Sequence, residues 1–144
     1  MMVAMCQTSF YTNTVLRLLV GVIFIMHGKF KLVWGYSHLS EWLHGQGFPL
    51  ATLFAHVLPW IELLGGIIMI IGVGTRYLAA VFSLILLIAL VKVKLAIGFI
   101  SNTATGYEFD LLLLIVSLHV MATSPNSLKQ VWGISRKGGD LNHD

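Results

Sequence analysis

The chain has little charge and almost no cysteine. Only 10% of its 144 residues are Asp, Glu, Lys or Arg, whereas a soluble domain carries roughly 25%; 57% are hydrophobic. The single cysteine, Cys6, excludes an internal disulfide, a Cys-x-x-Cys redox pair and a cysteine-rich metal site. The net charge of +3 does not indicate nucleic-acid binding, because the cations flank apolar segments instead of clustering on one polar surface. The composition therefore predicts an integral membrane protein.

Four apolar segments divide the chain. They span about 15–30, 50–73, 77–97 and 107–123, and a polar tail follows over 124–144. Lipid offers no partner for backbone N–H and C=O groups, so such segments are helices whose backbone bonds are satisfied internally. A chain of this length forms one domain. The prediction is an all-α fold, an integral membrane four-helix bundle, with residues 1–144 as a single membrane domain.

The connections between the segments predict the topology. Residues 72–76, Gly-Val-Gly-Thr-Arg, predict a tight turn that makes the second and third helices antiparallel. Residues 32–49 contain Trp34, Tyr36 and Trp42, and predict a short helix in the lipid headgroup zone. An even number of membrane helices puts both termini on one side, and five of the nine Lys and Arg residues fall there. The positive-inside rule then predicts a multi-pass plasma-membrane protein of a prokaryotic cell, N-in and C-in.

Glu62 lies inside the second apolar segment, where a charged group is costly in lipid. On a helix it shares a stripe with Pro59, Gly65, Gly66, Met69 and Gly72. The small residues of that stripe permit close approach of a neighbouring helix. The packing stripe of the first helix is predicted to comprise Gly21, Phe24, Gly28 and Lys31. An ionisable group at this depth is a functional-site hypothesis; the structural alternative is a protonated or paired Glu62 that fixes helix packing.

Antiparallel order brings polar helix ends to one side of the membrane. The candidate substrate-binding residues at these ends are His27, Lys31, His56, Lys94 and Glu108. With Glu62 as the catalytic residue, they predict a half-membrane pocket for an amphipathic ligand such as a quinone, whose carbonyls need donors and whose tail needs lipid. The histidines lack a paired His-x-x-x-His spacing, so neither a metal nor a haem is predicted.

Charge pairing is the second role predicted for these helix ends. Lys92 and Lys94 end the third segment, and Glu108 and Asp110 begin the fourth. Pairing would lower the free-energy cost of placing either set near lipid. Ion pairs whose charged ends reach the membrane surface explain these residues as well as a substrate site does. Arg76, which begins the third helix, is predicted to have the same structural role.

Four short motifs have the composition and spacing of a known family. They are Arg17-Leu-Leu-Val-Gly-Val-Ile-Phe with Gly28 and Lys31, Glu62-Leu-Leu-Gly-Gly-Ile, Gly72-Val-Gly-Thr-Arg76, and Gly106-Tyr-Glu-Phe. Together they resemble the DoxX family of small four-helix membrane proteins over residues 17–125. That family takes its name from the membrane subunit of an archaeal thiosulfate:quinone oxidoreductase, and other members are associated with redox, thiol or quinone stress. The resemblance implies a redox-linked membrane protein.

Three functions remain open from the sequence. The first is a quinone-interacting subunit of a redox system, related to thiosulfate, thiol or quinone stress, with a quinone as cofactor. The second is a non-catalytic membrane scaffold that recruits a soluble redox partner. The third is a small proton-coupled permease, because an intramembrane Glu beside a proline kink also suits a carrier. Whether the chain is itself an enzyme is left open. The expected partners are the lipid bilayer, a soluble or membrane redox protein and a second copy of the chain, but no nucleic acid.

Overall fold

The computed structural model describes residues 2–95, 98–99 and 106–124, with side chains from residue 11 onward. The helices are α1 (Met2–Trp34), α2 (Tyr36–Gly45), α3 (Ala51–Ile71), α4 (Thr75–Ala89) and α5 (Glu108–Thr123), and a π-helix (Leu90–Lys94) continues α4. The described ranges contain no strand. The all-α prediction is confirmed.

Helix α1 differs most from the expected boundaries. It begins at Met2 and ends at Trp34, whereas the apolar segment covers only 15–30. The helix continues beyond this segment on both sides because residues 2–14 and 31–34 contain no proline or glycine that would end it. Helices α3 and α5 lie within two residues of their expected bounds. Most of the polar tail, residues 125–144, lies outside the described residues.

Glycines set the contact between α1 and α3. A Cβ on Gly28 would lie 2.6 Å from both the Pro59 carbonyl oxygen and the Leu63 amide nitrogen, and one on Gly66 would lie 2.7 Å from the Gly21 carbonyl oxygen. Real side-chain atoms do not approach backbone so closely, so the two helix backbones touch directly. The stripes read from the sequence face each other across this contact.

The main core joins α1, α3, α4 and α5. Its buried members are Val20, Phe24, Met69, Ala79, Phe82, Leu86, Leu113, Leu114 and Val120. The rings of Phe24 and Phe82 stack with centroids 3.7 Å apart and planes 6° from parallel. Because Gly65 has no Cβ, the Phe82 ring can also pack directly against α3.

Helix α2 packs beside α3 through a smaller cluster. Leu39 and Leu43 of α2 are buried against Ala51 and Ala55 of α3. The turn between α3 and α4 uses Gly72 and Gly74, both at positive φ, as a connection this short requires. The short helix and the tight turn are therefore both present.

Two helices are long and apolar enough to cross a membrane among the residues described, namely Ala51–Ile71 and Thr75–Lys94. They are consecutive, and many of their large apolar side chains are exposed in the isolated chain. A soluble protein would hide such side chains, whereas in a membrane they contact lipid. The structure is that of an all-α membrane protein.

Candidate functional site

A buried ion pair joins α1 to α3. Lys31, in the last turn of α1, donates a hydrogen bond from Nζ to Glu62 Oε1. The Lys31 side chain is 20% exposed and the Glu62 side chain 2% exposed. The second carboxylate oxygen of Glu62, Oε2, is buried and has no hydrogen-bond partner among the described residues. One oxygen is thus committed to Lys31, and the other can accept a hydrogen bond or a proton.

The glycine contact explains why these two residues meet. Gly28 lies three residues before Lys31 and touches α3 on either side of Glu62, at Pro59 and Leu63. Residues three or four apart share one face of a helix, so Lys31 follows Gly28 onto α3 at the level of Glu62. Removing one partner of a fully buried pair costs about 3–5 kcal/mol. The partial exposure of Lys31 puts this pair toward the lower end of that range.

His56 lies at a different place, on the exposed side of α3 beside α2. A ring N–H at Nδ1 donates to the Thr52 carbonyl oxygen at 2.8 Å, because a carbonyl can only accept. In a neutral imidazole this bond leaves Nε2 as the acceptor. The His56 ring stacks on Tyr36, with centroids 4.5 Å apart and planes 12° from parallel. Trp60 Nε1 donates to the Tyr36 hydroxyl at 3.2 Å.

Two open grooves meet at His56. The polar groove, of about 460 Å³, is lined by Tyr36, Ser37, Ser40, Glu41, Thr52 and His56. The apolar groove, of about 470 Å³, is lined by His56, Val57, Trp60, Ile61, Leu64, Gly65, Ile68 and Leu78. Neither groove is lined by Lys31 or Glu62.

A third polar contact joins the π-helix at the C-terminal end of α4 to the first turn of α5. Lys94 Nζ lies 3.6 Å from Asp110 Oδ2, and the π-helix carries Lys94 to this position. Lys92 is exposed. Glu108 has one buried oxygen, Oε2, without a hydrogen-bond partner among the described residues. Arg76 is exposed at the start of α4, and within the described part of the chain no acid lies within salt-bridge distance of it.

The structure does not bring the predicted site residues into one pocket. Lys31 pairs with Glu62, His56 lies at the two grooves along α3, and Lys94 pairs with Asp110. His27 is exposed and bonds back to the Ile23 carbonyl oxygen of its own helix. Helical geometry explains the separation: His56 and Glu62 are six residues apart, which places them about 120° apart around α3. Sharing one end of the bundle does not make residues share one face.

Arg17 was not among the predicted site residues. Its side chain is buried, at 2% exposure, on the face of α1 that also carries Gly21 and Gly28. The spacing contained the signal, because Arg17 lies four residues before Gly21 and extends the predicted stripe by one turn. The contact of Trp60 with Tyr36 had no such signal, since it depends on how α2 folds back onto α3.

The fold and the buried ion pair define a small all-α membrane protein that encloses an ionisable site between two helices. The DoxX family model matches residues 12–95, more than half of the chain, and the protein belongs to the DoxX family. The chain is 36% identical over 121 residues to the Bacillus subtilis (strain 168) protein named "Putative oxidoreductase CatD", with 83% of this chain and 85% of that protein covered. No solved structure matches the chain. The family and the name of this relative support a redox-associated membrane protein.

Proposed function

We propose that this protein is the quinone-interacting membrane subunit of a redox system, and that Glu62 carries a proton for the reaction. The observation that supports this function is the Lys31–Glu62 pair: a carboxylate 2% exposed inside the bundle, with Oε1 held by Lys31 and Oε2 without a described partner. A membrane protein seldom keeps such a group without a use for its charge.

The ion pair suits proton transfer. Reduction of a quinone to a quinol takes up two electrons and two protons. We assign the two electrons and the second proton to a thiol-type substrate or a partner redox protein, since the one cysteine of the chain cannot form a dithiol pair within it. Glu62 in the ion pair is a carboxylate, and Oε2 is the atom that can take a proton and later release it. Lys31 keeps the carboxylate in place during this cycle and supplies the opposite charge.

The test compares Glu62→Gln with Glu62→Asp. Glutamine keeps the size and hydrogen-bonding capacity of Glu62 but cannot carry a proton, whereas aspartate keeps the acid on a shorter side chain. In a strain deleted for the gene and challenged with a quinone, Glu62→Gln should fail to restore growth and Glu62→Asp should restore part of it. Equal membrane yields of both variants control for folding. Full rescue by Glu62→Gln would refute the proton role.

A second measurement tests quinone binding directly. The full chain is extracted in mild detergent, and the co-purifying quinones, lipids and proteins are identified by mass spectrometry. We expect a retained quinone. A stoichiometric soluble protein without any quinone would instead support the scaffold function.

A further inference from the structure

We infer that the polar groove between α2 and α3 binds the primary ammonium of a phosphatidylethanolamine headgroup, with Glu41 as the counter-ion. The groove has a volume of about 460 Å³. It is separate from the proposed proton site, because neither Lys31 nor Glu62 lines it, so lipid binding here stands or falls independently of the proposed function. Three features support an ammonium ligand: the charge of the lining, its hydrogen-bonding atoms and the lipid-facing surface beside it.

The charge of the lining is negative. Of the six residues that line the groove, Glu41 is an acid and none is Lys or Arg. Among the described residues, no basic side chain lies within salt-bridge distance of Glu41, which is itself exposed. A cationic group in the groove would gain a counter-ion. A headgroup whose only charge is a phosphate, as in phosphatidylglycerol, would meet a like charge instead.

The other polar atoms of the lining suit a group with several N–H donors. A primary ammonium donates three hydrogen bonds and accepts none. Ser37 lies four residues before Glu41 and so shares its face of α2. The hydroxyls of Ser40 and Thr52 lie 3.1 Å apart and keep lone pairs beyond the bond between them. In a neutral imidazole, His56 Nε2 is a further acceptor.

These acceptors distinguish ethanolamine from choline. The quaternary ammonium of phosphatidylcholine carries the same positive charge but has no N–H group, so it can gain from the charge of Glu41 and not from the acceptors around it. Hydrogen bonds to a charged group are stronger than those between neutral groups. The lining therefore favours a headgroup that is both cationic and a hydrogen-bond donor.

The surface beside the groove indicates a lipid as the source of the ammonium. Leu53, Phe54 and Val57, in the first turns of α3, are exposed apolar residues, and in a membrane such side chains contact lipid. Trp60, one turn further along α3, donates to a hydroxyl of α2, and tryptophan favours the interface between headgroups and acyl chains. The groove thus lies where lipid-facing residues give way to the polar residues of α2, and headgroups are concentrated there.

The experiment places the full chain in nanodiscs with equal amounts of phosphatidylethanolamine, phosphatidylcholine and phosphatidylglycerol, and native mass spectrometry identifies the lipids that the protein retains. The wild type should retain phosphatidylethanolamine over phosphatidylcholine by about fivefold, which corresponds to about 1 kcal/mol. Glu41→Gln, which keeps the size and removes the charge, should reduce this ratio to about twofold or less. Glu41→Lys should shift the preference to phosphatidylglycerol. The matched control is Asp144→Asn, which removes the same charge from the last residue and should leave the ratio unchanged.

Each other outcome overturns the assignment. A wild type that retains the three lipids equally has no ammonium site. A preference that survives both Glu41 variants places the lipid elsewhere on the protein. Free ethanolamine that binds the protein in phosphatidylcholine nanodiscs, and is lost in Glu41→Gln, would make the ligand a soluble amine and not a lipid. Circular dichroism checks the folding of the variants, and Ser37→Ala, which should lower the ratio about twofold by loss of one acceptor, replaces any Glu41 variant that does not fold.

Discussion

A methyl group added at Gly28 should push α1 away from α3. The Cβ of alanine would lie 2.6 Å from Pro59 O and Leu63 N, and ordinary contact begins at 3.4 Å, so the helices must separate by 3.4 − 2.6 = 0.8 Å along that direction. Both neighbours are backbone atoms and cannot turn aside. Overpacking of this kind costs about 1–3 kcal/mol, and alanine recovers about 0.5–1 kcal/mol of helix propensity. The expected net loss for Gly28→Ala is therefore up to about 2.5 kcal/mol, and its overpacking cost relative to an unhindered Gly→Ala change is about 1–3 kcal/mol.

The matched control is Gly45→Ala in α2. A Cβ there would meet nothing within 4 Å, so the substitution should leave stability unchanged or raise it slightly. Unfolding of both variants by sodium dodecyl sulfate in mixed micelles gives the free-energy differences. A Gly28→Ala protein as stable as the Gly45→Ala control would refute the direct backbone contact between α1 and α3.

The same separation should weaken the Lys31–Glu62 pair one turn away. Lys31→Met removes the cation, and its cost should be smaller in the Gly28→Ala background than in the wild type, because the pair is already stretched. A double-mutant cycle measures this coupling. Strict additivity would show that Gly28 does not position Lys31.

Two other predictions concern the helix ends. Lys94→Asp and Asp110→Lys should each lower the thermal midpoint in detergent. The double swap should recover part of the loss, about 1 kcal/mol for a partly exposed pair. If Glu108→Lys rescues Lys94→Asp and Asp110→Lys does not, Lys94 pairs with Glu108 and the contact with Asp110 is wrong. Reporter fusions should give a cytoplasmic signal after Met121 and an external signal near His44, since both termini are expected inside. The opposite pair of signals would show that the topology is inverted and that the grooves beside α2 face the cytosol.

The helices that a sequence predicts well are those whose ends carry a chemical marker. Gly72 and Gly74 adopt positive φ, and the end of α3 follows from them. The facing stripes that contain Gly21, Gly28 and Gly66 were also predictable. Small residues at helical spacing in a membrane segment indicate a close contact with a neighbouring helix. The extension of α1 to Met2 was not predicted, since the Gln-, Thr- and Asn-containing residues 7–14 resemble a loop in composition.

The site was harder to predict for a geometric reason. Lys31 and Glu62 were each candidates, but their pairing depends on the axial register of α1 on α3, which the contact of Gly28 with the α3 backbone sets. His56 was expected beside Glu62 because both lie in one half of the bundle. Their rotation about α3 puts them on different faces, and the placement of Tyr36 over His56 requires the path of α2, which is not encoded in any local pattern.

The sideways opening of the apolar groove has a consequence for affinity. Exposed apolar residues of α3 flank it, so in a bilayer the groove is continuous with the acyl chains. A tail that enters it exchanges one hydrocarbon surrounding for another, and lipid tails are as apolar as leucine, so tail length contributes little to binding within the membrane. Any selectivity of this surface for one amphipathic molecule over another would therefore have to come from polar atoms and not from the length of an apolar tail.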